Sequence, residues 1–436
     1  MPKTADPPPA PPTVARLGPR TGLFALMALP RGFGGILPVL ERVHRELGDL
    51  FQLTLPGFKP VFVAGPEPIR QVLLENRHAF LWRPDADPVA RLLGRGVLVT
   101  DGEEHARLRR LMEPSSRRPH FAPRSGQMWR LVDRIAGCWP AGQAVDMLVE
   151  MRKLALLIFE AVYFSHDIEP KLPRLFSPVL QILDYIGPGM WIVFGAKAPP
   201  AAIRVLDEHL YGLIQHRRGS PNPPDDLLTH LVQALDDDAL VRDQLLTMLI
   251  AGHDTSTSHL AWTLYLLGAH ARWLAQVQAQ VRDVLADDPP TPENIGKLTL
   301  LDQTVKESLR LYPPIHVGNR FTAGDVVLAG CHIPAGTRVM VSYYLVQRHP
   351  DFWEAPAEFR PERWTTGFRP AAFTYVPFGG GPRNCIGAAF AQLEARLVLA
   401  RLLQRFRFTM PRQRVSVYMG AALEPRPYLK MEVQAI

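Results

Sequence analysis

The residues best suited to chemistry stand together near the C-terminus: Phe378-Gly379-Gly380-Gly381-Pro382-Arg383-Asn384-Cys385-Ile386-Gly387. A single cysteine lies in a glycine-rich loop, and a helical pattern, Ala388 to Phe406, follows at once. The start of a helix carries partial positive charge, which lowers a thiol pKa. Glycines let backbone amides come close to a sulfur and donate to it. Such a sulfur is a soft anionic ligand, and haem iron held by a Cys thiolate is pushed toward O–O cleavage. Arg383 is placed to meet an acidic group of that cofactor, and Phe378 to shield the sulfur from water. A lone cysteine beside glycines is otherwise an inert small hydrophobe. A phosphate loop is a weak reading, because no Lys-Ser/Thr follows the glycines.

A second group sits mid-chain, in Ala251-Gly252-His253-Asp254-Thr255-Ser256-Thr257-Ser258-His259. Apolar periodicity predicts one long helix around it, from about Asp243 to Ala271. Glycine and back-bonding hydroxyls weaken a helix interior, so a local opening or kink is expected. An acid beside an alcohol, here Asp254 and Thr255, makes a proton relay when water joins it. A polar stripe is the plainer reading for Ser256, Thr257 and Ser258, and His259 is expected to be structural. Earlier, Asp101 to Arg110 predicts a helix with His105 and Arg109 on one face. Two cationic donors there suit the paired carboxylates of a flat ligand. Taken alone, an exposed basic helix that docks a partner is the plainer account.

The elements that position these groups are mostly helical. Helices are expected at Ile36–Leu47, Pro66–Glu75, Leu148–Phe164, Leu172–Ile186 and Leu301–Leu311. Short strands are expected at Phe51–Leu55, Val61–Ala64, Val326–Leu328 and Val339–Val341, with a closing hairpin of Val415–Tyr418 and Leu429–Val433. Unaided, this is a helix-rich α+β chain. Residues 1–20 form a proline-rich flexible tail, and 21–436 one large domain. The patch Leu23–Leu29 is expected to pack rather than to touch a membrane.

The 436 residues are 47% hydrophobic, enough for a large core. Cys138, Cys331 and Cys385 are odd in number and widely spaced, so no disulfide framework or zinc site is expected, and a reducing cytoplasm fits. No Cys-x-x-Cys-His occurs, so covalent haem attachment is not expected. The net charge of +7 comes without a nucleic-acid motif. No run is long and apolar enough for a transmembrane anchor.

The whole pattern Phe-x-x-Gly-x-Arg-x-Cys-x-Gly resembles the haem-binding signature of the cytochrome P-450 family, the haem-thiolate monooxygenases. The resemblance runs from about residue 36 to the end. It implies a mostly α fold with a smaller β-rich region enclosing haem b. It assigns Cys385 as the iron ligand and Asp254 with Thr255 as the proton-delivering pair. Ala251 and Gly252 would give a ligand room against the haem. His105, Arg109, Arg320 and Arg383 would hold the propionates, and Phe378, Gly379 and Gly387 would shape the loop. Glu307 and Arg310 would join Arg363 in buttressing it. The segment Glu113 to Phe121 departs from the family's shorter helix ending. A mobile lid is expected near Ile186–Trp191.

The implied reaction inserts one atom of dioxygen into a small hydrophobic substrate: a fatty acid, terpenoid or carotenoid. No flavin or nicotinamide motif is visible, so electrons would come from a separate ferredoxin or flavodoxin with its reductase. The enzyme is expected to be a monomer. Rival readings are a peroxide-driven enzyme and a haem-carrying binding protein without turnover.

Overall fold

A computed structural model describes residues 13–16, 35–54, 58–83, 87–140, 142–187 and 198–436. Nearly all of the expected tail, the Leu23–Leu29 patch and most of the expected lid lie outside the described residues.

The long helix runs Asp238–Ala269 and forms the centre of the helical part. Asp237 caps it, its carboxylate accepting from the amides of Ala239 and Leu240. From Leu245 to Leu267 almost every side chain is buried, so this helix is enclosed on nearly all sides. It packs against Met147–Tyr163, Ile203–Arg218 and Thr299–Leu311, and against Ala388–Arg405, the helix that follows the cysteine loop. One continuous apolar core joins these helices.

The β region is a mixed six-stranded sheet. In spatial order its strands are Ala15–Arg16, Leu50–Gln52, Val61–Val63, Arg338–Ser342, Val317–Thr322 and Phe80–Leu81. Val61–Val63 and Arg338–Ser342 run parallel, with Phe62 opposite Met340. Ile36–Leu47 covers part of the sheet through Leu40 and Val43.

Several expectations change. The segment after Pro66 begins as a helix, Pro66–Arg70, and widens into a π-turn, Gln71–Glu75. The interval Asp85 to Val99, loop-rich by its scattered apolar residues, contains the helix Pro88–Leu93, capped by Asp87. The segment after Glu113 forms a 3-10 turn, Pro114–Ser116, and a short helix, Arg118–Phe121, with a proline in the first turn of each. The expected closing hairpin pairs otherwise. Ser416–Met419 pairs with Leu423–Arg426. Lys430–Ala435 lies between Phe406–Thr409 and Ala144–Asp146. Alternation gives strand existence but not partners: the first strand pairs with its near neighbour, and Lys430–Ala435 with strands far away in sequence.

Candidate functional site

The cysteine loop is fixed by its backbone. The Cys385 amide donates to the Phe378 carbonyl at 2.9 Å, closing the loop on itself. Gly381 has φ +67°, and a Cβ there would stand 2.2 Å from the Leu73 carbonyl oxygen. Only glycine lets the loop lie against the Gln71–Glu75 turn. Cys385 is exposed. Burial pushes the thiol pKa up; the Gly387 amide and the Arg109 charge pull it down less strongly. The amide donor expected at the sulfur is present, but with the helix start it does not outweigh burial. Full deprotonation falls to a bound metal ion.

Behind the loop lies a saturated brace. Glu307 is fully buried and accepts five hydrogen bonds. Arg310 supplies two at 2.8 and 2.9 Å, and the Arg363 side chain, Arg360 amide and Trp364 indole supply the others. Arg310 also donates to the carbonyls of Gln347, Pro356 and Glu358. Gln347 in turn accepts from the Val376 amide, two residues before Phe378. The brace thus reaches the loop through backbone.

At the other side, cations gather without enough anions. Arg320 is 5% exposed, and its guanidinium donates to the Asn319 carbonyl at 2.6 Å. Among the described residues no carboxylate pairs with it. Burial, with Arg383 and Arg83 close by, pulls its pKa down to about 10. The Trp82 ring lies 3.7 Å from the Arg320 guanidinium carbon and 5.0 Å from that of Arg383. Among the described residues its buried indole N–H has no partner. Arg383 itself is tied to Asp101 and the Thr100 carbonyl.

Two of the expected donors behave differently. Burial and the charges of Arg383 and Arg109 hold His105 near pKa 4, so it is a neutral imidazole at pH 7. Arg109 binds the Asn384 carbonyl and side-chain oxygens at 2.9 and 2.8 Å, so it grips the cysteine loop directly. Even so, Arg320 and Trp82 leave buried donors to spare beside a positively charged wall. Two carboxylates on a flat cofactor would satisfy them, so the residues present fit a haem with its propionates.

The long helix supplies the opposite wall. The expected opening does not interrupt it: the helix is continuous through residues 251–259. The Thr255 hydroxyl donates to the Ala251 carbonyl at 2.7 Å, and Thr257 donates likewise to His253. Ala251 is exposed within an otherwise buried run. Gly252 works differently from the expectation: a Cβ there would lie 2.6 Å from the Phe159 ring. Its space is filled by the neighbouring helix Met147–Tyr163, not kept for a ligand. His259 donates to the Val305 carbonyl and is structural, as expected. Ser256 donates to the buried Glu394 at 2.5 Å.

Asp254 is buried, and its pKa rises to about 7. Desolvation is the largest cause, followed by the nearby charge of Glu424; Arg152 and Arg426 pull the other way. Glu424 is itself buried and pairs with both arginines. A cavity of about 90 Å³ is lined by Asp254, Glu424, Arg152, Arg426, Asp184 and Tyr418. It is polar and roomy enough for water. Trp82 and Glu424 are the two site residues that sequence reasoning missed. Neither belongs to a local motif, and each acquires its neighbours only through the fold.

A cysteine-bearing loop, a helix with an acid–alcohol pair and a buried cationic wall define a haem-thiolate class of oxygenase. The cytochrome P450 family profile matches residues 17–429, and the chain belongs to that family. It is 30% identical to pentalenene oxygenase of Streptomyces avermitilis, over 83% of this chain and 85% of that one. It is 31% identical to cyclooctat-9-en-7-ol 5-monooxygenase of Streptomyces melanosporofaciens, over 83% and 82%. The crystal structure of the cytochrome P450DA heme domain superposes with a TM-score of 0.86, covering 98% of each chain at 26% identity. The chain is therefore an oxidoreductase of the monooxygenase type, built for haem. No helix among the described residues is long and apolar enough to cross a membrane.

Proposed function

We propose that this chain hydroxylates or epoxidises a bulky terpenoid-like hydrophobe at haem b ligated by Cys385. Fatty acids and carotenoids are the neighbouring substrate classes. The relatives named pentalenene oxygenase and cyclooctat-9-en-7-ol 5-monooxygenase support the terpenoid choice. The observation that carries the haem reading is the pairing of an accessible Cys385 sulfur with the unspent donors of Arg320 and Trp82. When bound, the haem supplies dioxygen activation and transfer of one oxygen atom.

The chain's own residues bind, orient and deliver protons. Arg320, Trp82, Arg383 and His105 would hold the propionates, and Arg109 fixes the loop through Asn384. Phe378, Gly379 and Gly387 shape the backbone about the sulfur, with the Gly387 amide donating to it. Ala251 leaves room on the long helix, where Gly252 lets that helix seat on Phe159. The Thr255 hydroxyl donates to the Ala251 carbonyl, which leaves its oxygen to accept from, and so position, a proton-carrying water. Asp254, with a pKa of about 7, takes and gives a proton near working pH. Water in the cavity beside Glu424 refills it.

Electrons come from a separate ferredoxin or flavodoxin with its reductase. Exposed Arg107 and Arg110, on the helix Gly102–Met112, suit an acidic donor. The test is the carbon monoxide spectrum of the reduced protein. Wild type should give the thiolate-type band, and Cys385→Ser should lose it. A wild-type spectrum without that band sinks the proposal. Screening terpenoids, carotenoids and fatty acids by haem absorption then ranks the substrate classes.

A further inference from the structure

We propose that Glu160, His166 and His209 form a second metal site, for one zinc-type divalent ion, apart from the haem. Glu160 ends the helix Met147–Tyr163, His166 lies just beyond it, and His209 comes from Ile203–Arg218. One Glu160 oxygen stands 3.0 Å from His166 Nδ1 and the other 2.9 Å from His209 Nε2. All the candidate ligand atoms lie within 4.8 Å of one another.

The carboxylate is the anomaly. Glu160 is fully buried, yet among the described residues no lysine or arginine pairs with it. Its two oxygens are met by the two imidazoles alone among these side chains, and a buried carboxylate is costly unless it is paired or holds a metal. A divalent ion shared by all three groups would pair it. Two imidazoles and one carboxylate suit Zn²⁺, Co²⁺ or Ni²⁺, not the all-oxygen preference of Ca²⁺ or Mg²⁺. His166 is 21% exposed, so this side is open for entry and for a water ligand.

Tautomers separate this cluster from a similar one. His44 and His349 both meet Asp49, but His349 Nδ1 accepts from the Asp351 amide at 3.2 Å. That bond keeps the ring proton on Nε2, which therefore cannot ligate. At Glu160 nothing pins the rings this way. His209 Nδ1 is unpartnered, so its proton can move there and free the Nε2 lone pair. For His166 the proton moves to Nε2, on the exposed side.

The test uses the haem-loaded full chain, first stripped of loose metal. Zn²⁺ is titrated against a competing chelator, and Zn K-edge absorption reads the ligands independently of iron. One equivalent should bind with two imidazoles in its shell. His166→Ala should weaken binding by more than roughly tenfold, the smallest loss expected even from an outer-shell change. Its circular dichroism and haem absorption without zinc should match wild type, which shows that the variant folds. Absence of tight zinc, or equal affinity in His166→Ala and Glu160→Gln, reduces the cluster to a hydrogen-bonded brace and overturns the proposal.

Discussion

Two buried charge clusters flank the cofactor region, and they are built on opposite rules. Around Glu307 every strong group is spent: the carboxylate accepts five hydrogen bonds, and Arg310 satisfies three carbonyls beyond it. Around Arg320 donors are left over, and the Trp82 indole N–H has no partner. A buried polar group without a partner costs free energy unless something else supplies one. The saturated cluster holds the fold together; the unsaturated one marks where a ligand's charge belongs. Asp254 belongs to the second kind, except that its missing partner is a proton.

The largest test is Glu307→Ala. It strands Arg310 and Arg363 as buried cations, a change that costs about 3–5 kcal/mol. Urea unfolding should show that loss, with poor haem retention. A variant within about 1 kcal/mol of wild type would break the contrast, because the brace would then be dispensable.

Asp254→Asn comes next. It keeps the shape but cannot ionise, and general acid–base steps contribute about 10²–10⁴-fold. Product formation should fall by about 10²-fold while electron consumption falls less. Above pH 7 the wild type loses the protonated Asp254, so its rate should decline there. The variant should lack that limb. Tightly coupled turnover in Asp254→Asn would remove the residue from the proton path.

Arg320→Gln should differ from Glu307→Ala in one respect: it loosens haem without loosening the fold. It weakens the hold on a propionate, worth about 1.5–3 kcal/mol for a charged hydrogen bond. Haem loss to an acceptor protein should therefore quicken by roughly 10–100-fold. Global stability should hardly drop, because the wild-type guanidinium is already short of partners. A large fall in stability would place Arg320 with the saturated group.

Much of this contrast was legible from the residues. The Cys385 motif, the Glu307–Arg310 spacing and the Asp254–Thr255 pair are local, and helix geometry alone sets their faces. Ile36–Leu47 and Leu172–Ile186 follow their apolar periodicity to the residue. What stayed hidden depends on neighbours brought from afar. Trp82 gains meaning from Arg320 and Arg383, and Glu424 from Arg152, some 270 residues earlier. The charge of His105 was misread for the same reason: burial, with the charges of Arg383 and Arg109, holds it neutral. Gly252 is read correctly only once Phe159 is seen against it.

The finest test concerns how Glu424 tunes Asp254. Its negative charge is the second cause of the raised Asp254 pKa, after burial. Glu424→Gln removes that charge and frees Arg152 and Arg426 to act on Asp254, so the pKa should fall below 7. The activity limb should move to lower pH by about one unit, worth about 1.4 kcal/mol. The sign carries over to stability. A carboxyl whose folded pKa lies above its unfolded value of about 3.9 stabilises the fold fully below that value. That contribution is lost as pH rises through about 7. In Glu424→Gln the loss should be smaller and complete at lower pH, because less proton affinity separates the two states. An unmoved activity limb would mean that Asp254 owes its pKa to burial alone, and that Glu424 belongs with the brace rather than with the proton path.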